Sequence, residues 1–364
     1  MAHITHDGDI SINVFLSPEP ARLQGFGTGL LVVPKSNNSL NGNRVIVYAG
    51  DTAVEDAEQD ESNGYISAAT LDAIKTYFGQ DDLVPRQEKL VVGHRDDTLA
   101  TPETYPEALS AIQQENDEWY LVAIAGRADT DIDNTSSEIE SSYKKFFVAQ
   151  TDSADFKDSS PASGTLPDLL TGRERTFVNW HDTDGEWQDM AIMGARGAFD
   201  LDNKSPPWFG QVKGVADLDQ TNLSGGDVDT IKGNNGNVML PFGPADKFVK
   251  EGKNMNGRAA YVMLTADWFE NRLQYDVAEE IVKKTNFGEK IGVSENGQTT
   301  MAKLVRSRFQ QGEDAGHFKR GTTSIEFPTI TQTNRDNETI PLKGSAIIKI
   351  AGQKVDFNFR FTRN

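Results

Sequence analysis

Residues 175–199, "RTFVNWHDTDGEWQDMAIMGARGAF", carry the pattern that decides the fold. Residues 175–181 are rich in β-branched and aromatic side chains, as in a buried strand, and residues 186–199 carry apolar side chains at the spacing of a helix. A polar turn joins the two. A strand followed by an amphipathic helix is the repeating unit of an α/β layer with parallel strands. The stretch therefore predicts one such unit.

The same order recurs on the N-terminal side of this stretch. Predicted strands lie at 30–33, 44–50, 89–95, 119–126 and 146–151, and predicted helices at 67–80, 104–116 and 136–145. In the first of these helices Leu71, Ile74 and Phe78 share one face. The alternation predicts an α/β fold, with mixed, largely parallel sheet layers and flanking helices. The acidic run at 51–61 is interpreted as a solvated outer loop.

Two long helices are predicted in the C-terminal half. The longer one is expected to begin at Asp267, because aspartate caps helices, and its apolar face is lined by Phe269, Leu273, Val277 and Ile281. The other spans residues 299–312. Each has one apolar face, so both are expected to pack against the body of the protein.

Strands with one apolar face are predicted near both ends of the chain. Apolar and polar residues alternate there, which is the period of a strand, and a Gly-Gln turn before the last strand favours a C-terminal hairpin. The apolar positions of the two terminal strands are Ile10, Ile12, Val14, Val355, Phe357, Phe359 and Phe361. A strand of this kind is unstable alone and needs a partner. The pattern leaves open whether that partner is the same chain or a neighbouring one.

The composition excludes several classes of function. The 364 residues carry a net charge of −19, which disfavours nucleic acid and anionic membranes as partners. The chain has no cysteine, and no apolar run approaches the roughly 18 residues of a membrane span. Its first residues lack the pattern of a secretory signal, so we expect the protein to be made in a cytoplasm.

No recognisable catalytic, metal or cofactor motif is present. His94 and His181 follow predicted strands, where α/β enzymes often carry active residues, and this keeps an α/β enzyme as an alternative. The acidic turn at 181–189 does not match the ligand register of a calcium loop. "GFGTG" at 25–29 is not a full dinucleotide motif and precedes its strand. We therefore expect a non-enzyme with neither a cofactor nor a metal.

Several segments in order resemble the tail sheath proteins of contractile-tailed, myovirus-type bacteriophages, in the shorter branch of that family. The main ones are "FVNWHDTDGEWQDMAIMGARG" (177–197), "WFGQVKGV" (208–215), "TADWFENRLQYDVAEEIVKKT" (265–285), "KIGVSENGQTTMAKLVRSRFQQGEDAGHF" (290–318) and "IPLKGSAIIKIAGQKVDFNF" (340–359). The first half agrees through "INV", "GFGTGLLV" and "GYISAATLDAIKTYFGQ". The resemblance covers most of the chain. It rests on the number and order of these segments, since each alone is weak.

The resemblance implies a structural subunit of the virion. Such subunits polymerise helically around an inner tail tube and contract to drive it through the host envelope, and neighbours exchange terminal strands by β-augmentation. The implied partners are further copies of the chain, the inner tube protein, and baseplate and tail terminator proteins. The implied location is the tail sheath, assembled in the host cytoplasm. Another phage tail or baseplate subunit is an alternative.

The resemblance also implies a division of the chain and a contact surface. The expected segments are an N-terminal arm at 1–24, a first α/β region at 25–165 that is outer or inserted, a second, tube-proximal α/β region at 166–340, and a C-terminal hairpin or arm at 341–364. On the helix at 299–312, Lys303, Arg306 and Arg308 form a candidate basic surface facing the tube. No acidic residue lies among them, in a chain that is acidic overall.

Overall fold

The structure is a computed structural model that describes residues 2–4, 10–12, 25–35, 40–80, 87–142, 144–182, 185–213, 223–242, 246–337, 339–348 and 354–362. The strands are β1 Ala2–Ile4, β2 Ile10–Ile12, β3 Gly29–Pro34, β4 Val45–Ala49, β5 Lys89–Arg95, β6 Leu121–Ile124, β7 Phe146–Thr151, β8 Thr176–Trp180, β9 Gly210–Val212, β10 Asn237–Phe242, β11 Asp246–Lys250, β12 Ser324–Glu326, β13 Thr339–Ile347 and β14 Lys354–Thr362. The helices are α1 Ala53–Ser62, α2 Ala68–Phe78, α3 Tyr105–Glu115, α4 Asp129–Ser142, α5 Leu166–Leu170, α6 Gln188–Gly197, α7 Gly225–Gly233, α8 Ala260–Asn286, α9 Glu295–Ala315 and α10 Gln332–Asp336.

Nine of the strands form one large, mostly parallel sheet. Its order is β4-β5-β3-β6-β7-β8-β10-β11-β9, and the six strands from β5 to β10 run parallel to one another. Antiparallel strands occupy both edges, with β4 at one and β11 and β9 at the other. The prediction of a mixed, largely parallel α/β fold with flanking helices is confirmed.

The middle of the sheet is buried on both faces. Every residue of β6, β7 and β8 is buried, as expected of strands covered by helices on each side. Helix α6 approaches α2 closely because Gly194 has no side chain. A Cβ there would lie 2.1 Å from the Tyr77 backbone oxygen. The small residues of the opening stretch therefore set how tightly these two helices pack.

The chain divides into two compact units. The sheet unit comprises Gly25–Asp200 and Pro206–Tyr261, and the terminal unit comprises Met1–Gln24, Leu201–Ser205 and Val262–Asn364. The sheet unit holds 38 of the 55 acidic residues and 19 of the 36 basic ones, which leaves 17 of each in the terminal unit. The whole net charge of −19 thus belongs to the sheet unit, and the terminal unit is neutral.

The terminal unit is built on α8 and α9. Phe269 of α8 stacks on Phe309 of α9 with ring centroids 4.9 Å apart, and Phe318 packs edge-on against both. The expected start of the long helix at Asp267 is wrong: α8 begins at Ala260, and Asp267 is buried within it. The apolar residues before Asp267 are buried and belong to the same helix. The free energy gained by burying them outweighs the capping preference of aspartate.

Short sheets complete the terminal unit. Strands β12, β13 and β14 form an antiparallel sheet in that order, and β1 and β2 form a separate antiparallel pair. Strand β2 lies next to β14, so the N-terminal pair of strands adjoins the C-terminal strand.

The acidic run interpreted as a loop is a helix. Residues 53–62 form α1, whose Ala53 and Ala57 are buried. Two alanines one turn apart give the helix a narrow apolar face, which the surrounding acidic residues hid in the sequence.

Candidate assembly surfaces

The C-terminal strand pairs with its own chain in this structure. Strand β14, which contains Val355, Phe357, Phe359 and Phe361, runs antiparallel to β13 along nine residue pairs. The antiparallel pairing expected of a C-terminal hairpin is therefore present, whereas the predicted Gly-Gln turn at 352–353 lies outside the described residues. The N-terminal strand β2 contains Ile10 and Ile12, whereas Val14 lies outside the described residues.

The register of this hairpin explains the alternation in the last strand. Every second residue of β13 is buried where the strand packs against α9. Opposite residues of an antiparallel pair share one face of the sheet. The matched pairs are Ile340 with Phe361, Leu342 with Phe359, Gly344 with Phe357 and Ala346 with Val355. The apolar period of β14 is thus in phase with the buried face of β13.

Helix α9 carries the candidate basic surface. The side chain of Ser294 accepts a hydrogen bond from the Gly297 amide at the start of the helix, and Gly316 ends it in a left-handed conformation. Lys303 and Arg306 are exposed and form no ion pair with any described residue. They remain available to a partner.

Arg308 has a different environment from its two neighbours on α9. Its guanidinium donates to both carboxylate oxygens of Asp276 on α8, at 2.6 and 3.0 Å, and is half-buried. It also lies 3.8 Å from Asp202. A bidentate, part-buried pair of this kind fixes two helices together. The structure therefore separates Arg308, which holds α9 on α8, from the exposed Lys303 and Arg306.

Asp202 is the centre of a polar cluster that sequence reasoning missed. It accepts hydrogen bonds from Trp268 Nε1 at 2.8 Å and from Arg272 Nε at 2.9 Å. Burial acts to raise the pKa of Asp202, but the bonds from Arg272 and Trp268 and the charge of Arg308 outweigh it, so the pKa lies below its usual range. The cluster ties the short segment Leu201–Ser205 to α8 and α9. We call it the Asp202 clasp.

His317 completes the Asp202 clasp. One ring nitrogen lies 2.6 Å from the Leu201 carbonyl and the other 3.0 Å from Thr265 Oγ1, and the ring stacks on Trp268 at 4.4 Å. Burial lowers the pKa of His317 to about 4, against the opposing effects of the Leu201 carbonyl and Asp202. The ring is therefore neutral at pH 7 and donates to that carbonyl. These partners lie 52 and 116 residues away, so no local signal in the sequence could have revealed them.

The two strand-end histidines do not form a common site. His94 ends β5 and His181 follows β8, and three strands lie between them in the sheet, which separates them by roughly 19 Å at about 4.8 Å per strand. Both are buried. Burial and the nearby charges of Arg44 and Lys35 lower the pKa of His94.

A cavity of about 640 Å³ opens at the carboxyl ends of β3, β6 and β7. This is where α/β enzymes bind their substrates. Arg127, which lines the cavity, is held by Asp189 through two bonds of 2.6 and 3.2 Å, and its guanidinium lies over the ring of Trp187. The ion pair joins the turn after β6 to the first turn of α6, so its groups are already engaged in holding the fold.

Among the described residues, no group of three or more histidine, aspartate or glutamate side chains is placed to hold a metal ion. In the same part of the chain, no helix is both long enough and apolar enough to cross a membrane.

Comparison with known proteins gives matches at the level of structure. Neither the family models nor the curated proteins give a match to the sequence. Three similar solved structures are the sheath tail protein of Listeria innocua (TM-score 0.61, 10% identity, 94% of this chain and 96% of that one), a chain of the anti-feeding prophage baseplate (0.63, 10%, 91% and 93%) and a chain of the PVC sheath complex of an extracellular contractile injection system in its contracted state (0.56, 14%, 90% and 90%). The chain therefore has the fold of contractile tail sheath proteins along nearly its whole length, and the predicted resemblance is confirmed at the level of the fold.

Proposed function

We propose that this chain is a structural, non-enzymatic subunit of a contractile tail sheath. The observation that carries the proposal is the fold, which is shared along at least nine-tenths of both chains with the Listeria sheath tail protein and with a chain of the sheath complex of an injection system. Two observations favour this function over an α/β enzyme. Arg127 in the cavity at the ends of β3, β6 and β7 is already paired with Asp189, and His94 and His181 lie far apart in the sheet.

In this proposal the subunit works by repacking and uses no cofactor. Copies polymerise helically around an inner tail tube inside the host cytoplasm, and the finished sheath belongs to the virion tail. Contraction replaces one set of subunit contacts with a more stable set, so the free energy comes from the lattice itself. The moving sheath drives the tube through the host envelope for genome ejection. Baseplate and tail terminator proteins bind its two ends.

Terminal strands connect neighbouring subunits in the proposed lattice. Strand β14 pairs with β13 of the same chain in the isolated subunit, and a neighbour's copy of β14 can replace it with the same register. The exchange keeps the backbone hydrogen bonds and links two chains at little net cost. Ile10, Ile12 and Val14 belong to the second arm, whose strand β2 lies next to β14. Burial of each large apolar side chain contributes roughly 1.5–3 kcal/mol.

The proposed tube contact is the exposed part of α9. Lys303 and Arg306 are exposed and would pair with an acidic tube surface. Arg308 holds α9 on α8 through its ion pair with Asp276. We propose that residues 166–340 form the tube-proximal region and that residues 25–165 form the outer or inserted one. Residues 25–165 carry 25 acidic and 10 basic side chains, and this acidic excess supports an outer position for them, since like charges favour exposure to solvent.

Removal of the C-terminal arm tests the strand exchange. We expect a chain lacking residues 346–364 to remain folded in its sheet unit and to form no long sleeves under the microscope. Two full-length double variants compare the faces of the last strand. Phe357→Asn with Phe359→Asn changes its apolar positions, and Asn358→Ser with Arg360→Ser changes its polar positions. Only the first pair should abolish sleeves. Long sleeves from the truncated chain would sink the arm proposal.

A baseplate subunit is the second candidate, and one observation favours it. The chain of the anti-feeding prophage baseplate is as similar in fold as the sheath proteins are. A baseplate subunit would use the same arms in a closed ring. Closed particles of fixed size, in place of sleeves of variable length, would favour this candidate.

A further inference from the structure

The C-terminal end of α8 projects away from the core of the terminal unit. Val277 is the last buried residue of α8, and none of the residues from 278 to 296 is buried. The helix continues for more than two turns beyond Val277 and ends at Asn286. Gly288, in a left-handed conformation, then reverses the chain. We call residues 281–290 the α8 tip.

The α8 tip combines apolar and basic side chains in solvent. Phe287 is 78% exposed and Val282 is 58% exposed, the highest values among the exposed large apolar residues of the described chain. Lys283 and Lys290 are exposed and form no ion pair with a described residue, whereas Lys284 is paired with Glu289 at 2.5 Å. A projecting aromatic residue with lysines around it is an arrangement suited to an acidic partner that offers apolar contact.

The acidic surface that complements the α8 tip is present on the same protein. All of the net charge of −19 lies in the sheet unit, and α1 carries much of it on an open surface. Five of the ten residues of α1 are acidic and none is basic: Glu55, Asp56, Glu58, Asp60 and Glu61. Helix α4 also holds five acidic residues, but all of them are partly buried, whereas Glu55, Asp56 and Glu58 of α1 are exposed. Val47 of the neighbouring edge strand β4 is exposed as well.

We propose that the α8 tip of one subunit docks on α1 of a second copy. Phe287 and Val282 lose water contact against the edge of the sheet unit, and Lys283 and Lys290 face the carboxylates of α1. The contact gives each subunit one donor tip and one acceptor helix. Such a heterologous contact builds an open helical polymer when its rotation does not close into a ring, as the sheath proposal requires. The inference rests on the proposed sheath function and names one of its lattice contacts.

Substitutions at the tip test the contact in polymers of the full-length chain. Phe287→Ser, and separately Lys283→Glu with Lys290→Glu, should each raise the critical concentration for polymerisation about tenfold or more by pelleting assay. Leu99→Ser is the apolar control, and Lys319→Glu with Arg320→Glu is the charge control in the same unit. Both controls should polymerise as the unmodified chain does. Circular dichroism verifies that each variant is folded.

Charge exchange identifies α1 as the acceptor. Glu55→Lys with Glu61→Lys should impair polymerisation alone and should restore it when combined with Lys283→Glu and Lys290→Glu. A photo-crosslinking benzoylphenylalanine at position 287 should join two copies through peptides of α1 in assembled sleeves. Crosslinks to the tube protein or to another part of the neighbour, or no crosslinks at all, would overturn the proposal. A wild-type chain that never polymerises removes the sheath function itself. A polymer insensitive to the tip variants removes only this contact.

Discussion

The two units of the molecule differ in charge and in the way their strands are completed. The sheet unit has a net charge of −19, and its central strands are buried between helices that the same chain supplies. The terminal unit is neutral, and it contains the strands nearest both chain ends and the projecting α8 tip. A neutral surface can approach its copies without like-charge repulsion. The acidic sheet unit therefore offers α1 as the proposed acceptor, whereas the neutral terminal unit offers the end strands and the α8 tip.

Truncation of one core aromatic side chain in each unit should cause the largest loss of stability. Phe269→Ala removes the ring that contacts Phe309 and Phe318, and Phe177→Ala removes a buried ring of the sheet unit. Each should lower the free energy of unfolding by about 3–5 kcal/mol. Hydrogen exchange should show loss of protection confined to the unit that carries the change. Phe209→Ala, at an exposed position, is the control. Equal loss of protection in both units would contradict the division.

Acid should weaken the terminal unit through His317. The unfolded histidine binds a proton near pH 6.5, whereas burial holds the folded pKa at about 4. Between these values the unfolded state binds more protons, so stability falls as pH falls from 6.5 to 4, by up to about 3 kcal/mol. His317→Gln should flatten this part of the profile in denaturant titrations followed by exchange of α9 amides. An unchanged slope would show that His317 does not remain neutral in the folded state.

Loss of the carboxylate in the Asp202 clasp should have a smaller effect on the same unit. Asp202→Ala leaves Arg272 and the Trp268 indole without their acceptor in a partly buried place, at a cost of about 2 kcal/mol. Amides of Leu201–Ser205 should exchange faster, while those of β6 should not change. Asp314→Ala, on the exposed end of α9, is the matched control and should cost less than about 0.5 kcal/mol. Equal losses of stability in Asp202→Ala and Asp314→Ala would contradict a stabilising role for the Asp202 clasp.

An exposed ion pair in the sheet unit should contribute least. Lys75 and Glu58 join α2 to α1 at 2.8 Å in solvent-accessible positions. Lys75→Ala should change the free energy of unfolding by less than about 1 kcal/mol, and the effect should vanish at high salt. Denaturant titrations at two salt concentrations measure it. A larger loss of stability that does not vary with salt would show that the Lys75–Glu58 pair is needed to hold α1 against α2.

The sequence was sufficient to predict the parts of the fold that depend on local pattern. The strand at 175–181 and the helix at 186–199 contain β8 and α6, because each segment carries its period in its own residues. Helix α1 was missed because its apolar face is only two alanines wide. The start of α8 was misplaced because a capping residue type lies inside a buried helix.

Long-range contacts account for the rest of what was missed. The hydrogen bonds of the Asp202 clasp join residues that are 52 to 116 positions apart, and spacing in the sequence carries no information about such pairs. Arg308 looked equivalent to Lys303 and Arg306 in the helical pattern, and only the position of Asp276 distinguishes it. The terminal strands were visible as alternating patterns, but the partner of β14 depends on which chain supplies β13.

The claim that this chain is a sheath subunit is tested most directly by negative-stain electron microscopy of the purified, full-length protein across a range of concentrations. The account predicts hollow helical sleeves whose length increases with protein concentration and whose bore is wide enough to enclose a tail tube. Dispersed monomers at every concentration, or closed particles of one fixed size, would contradict it.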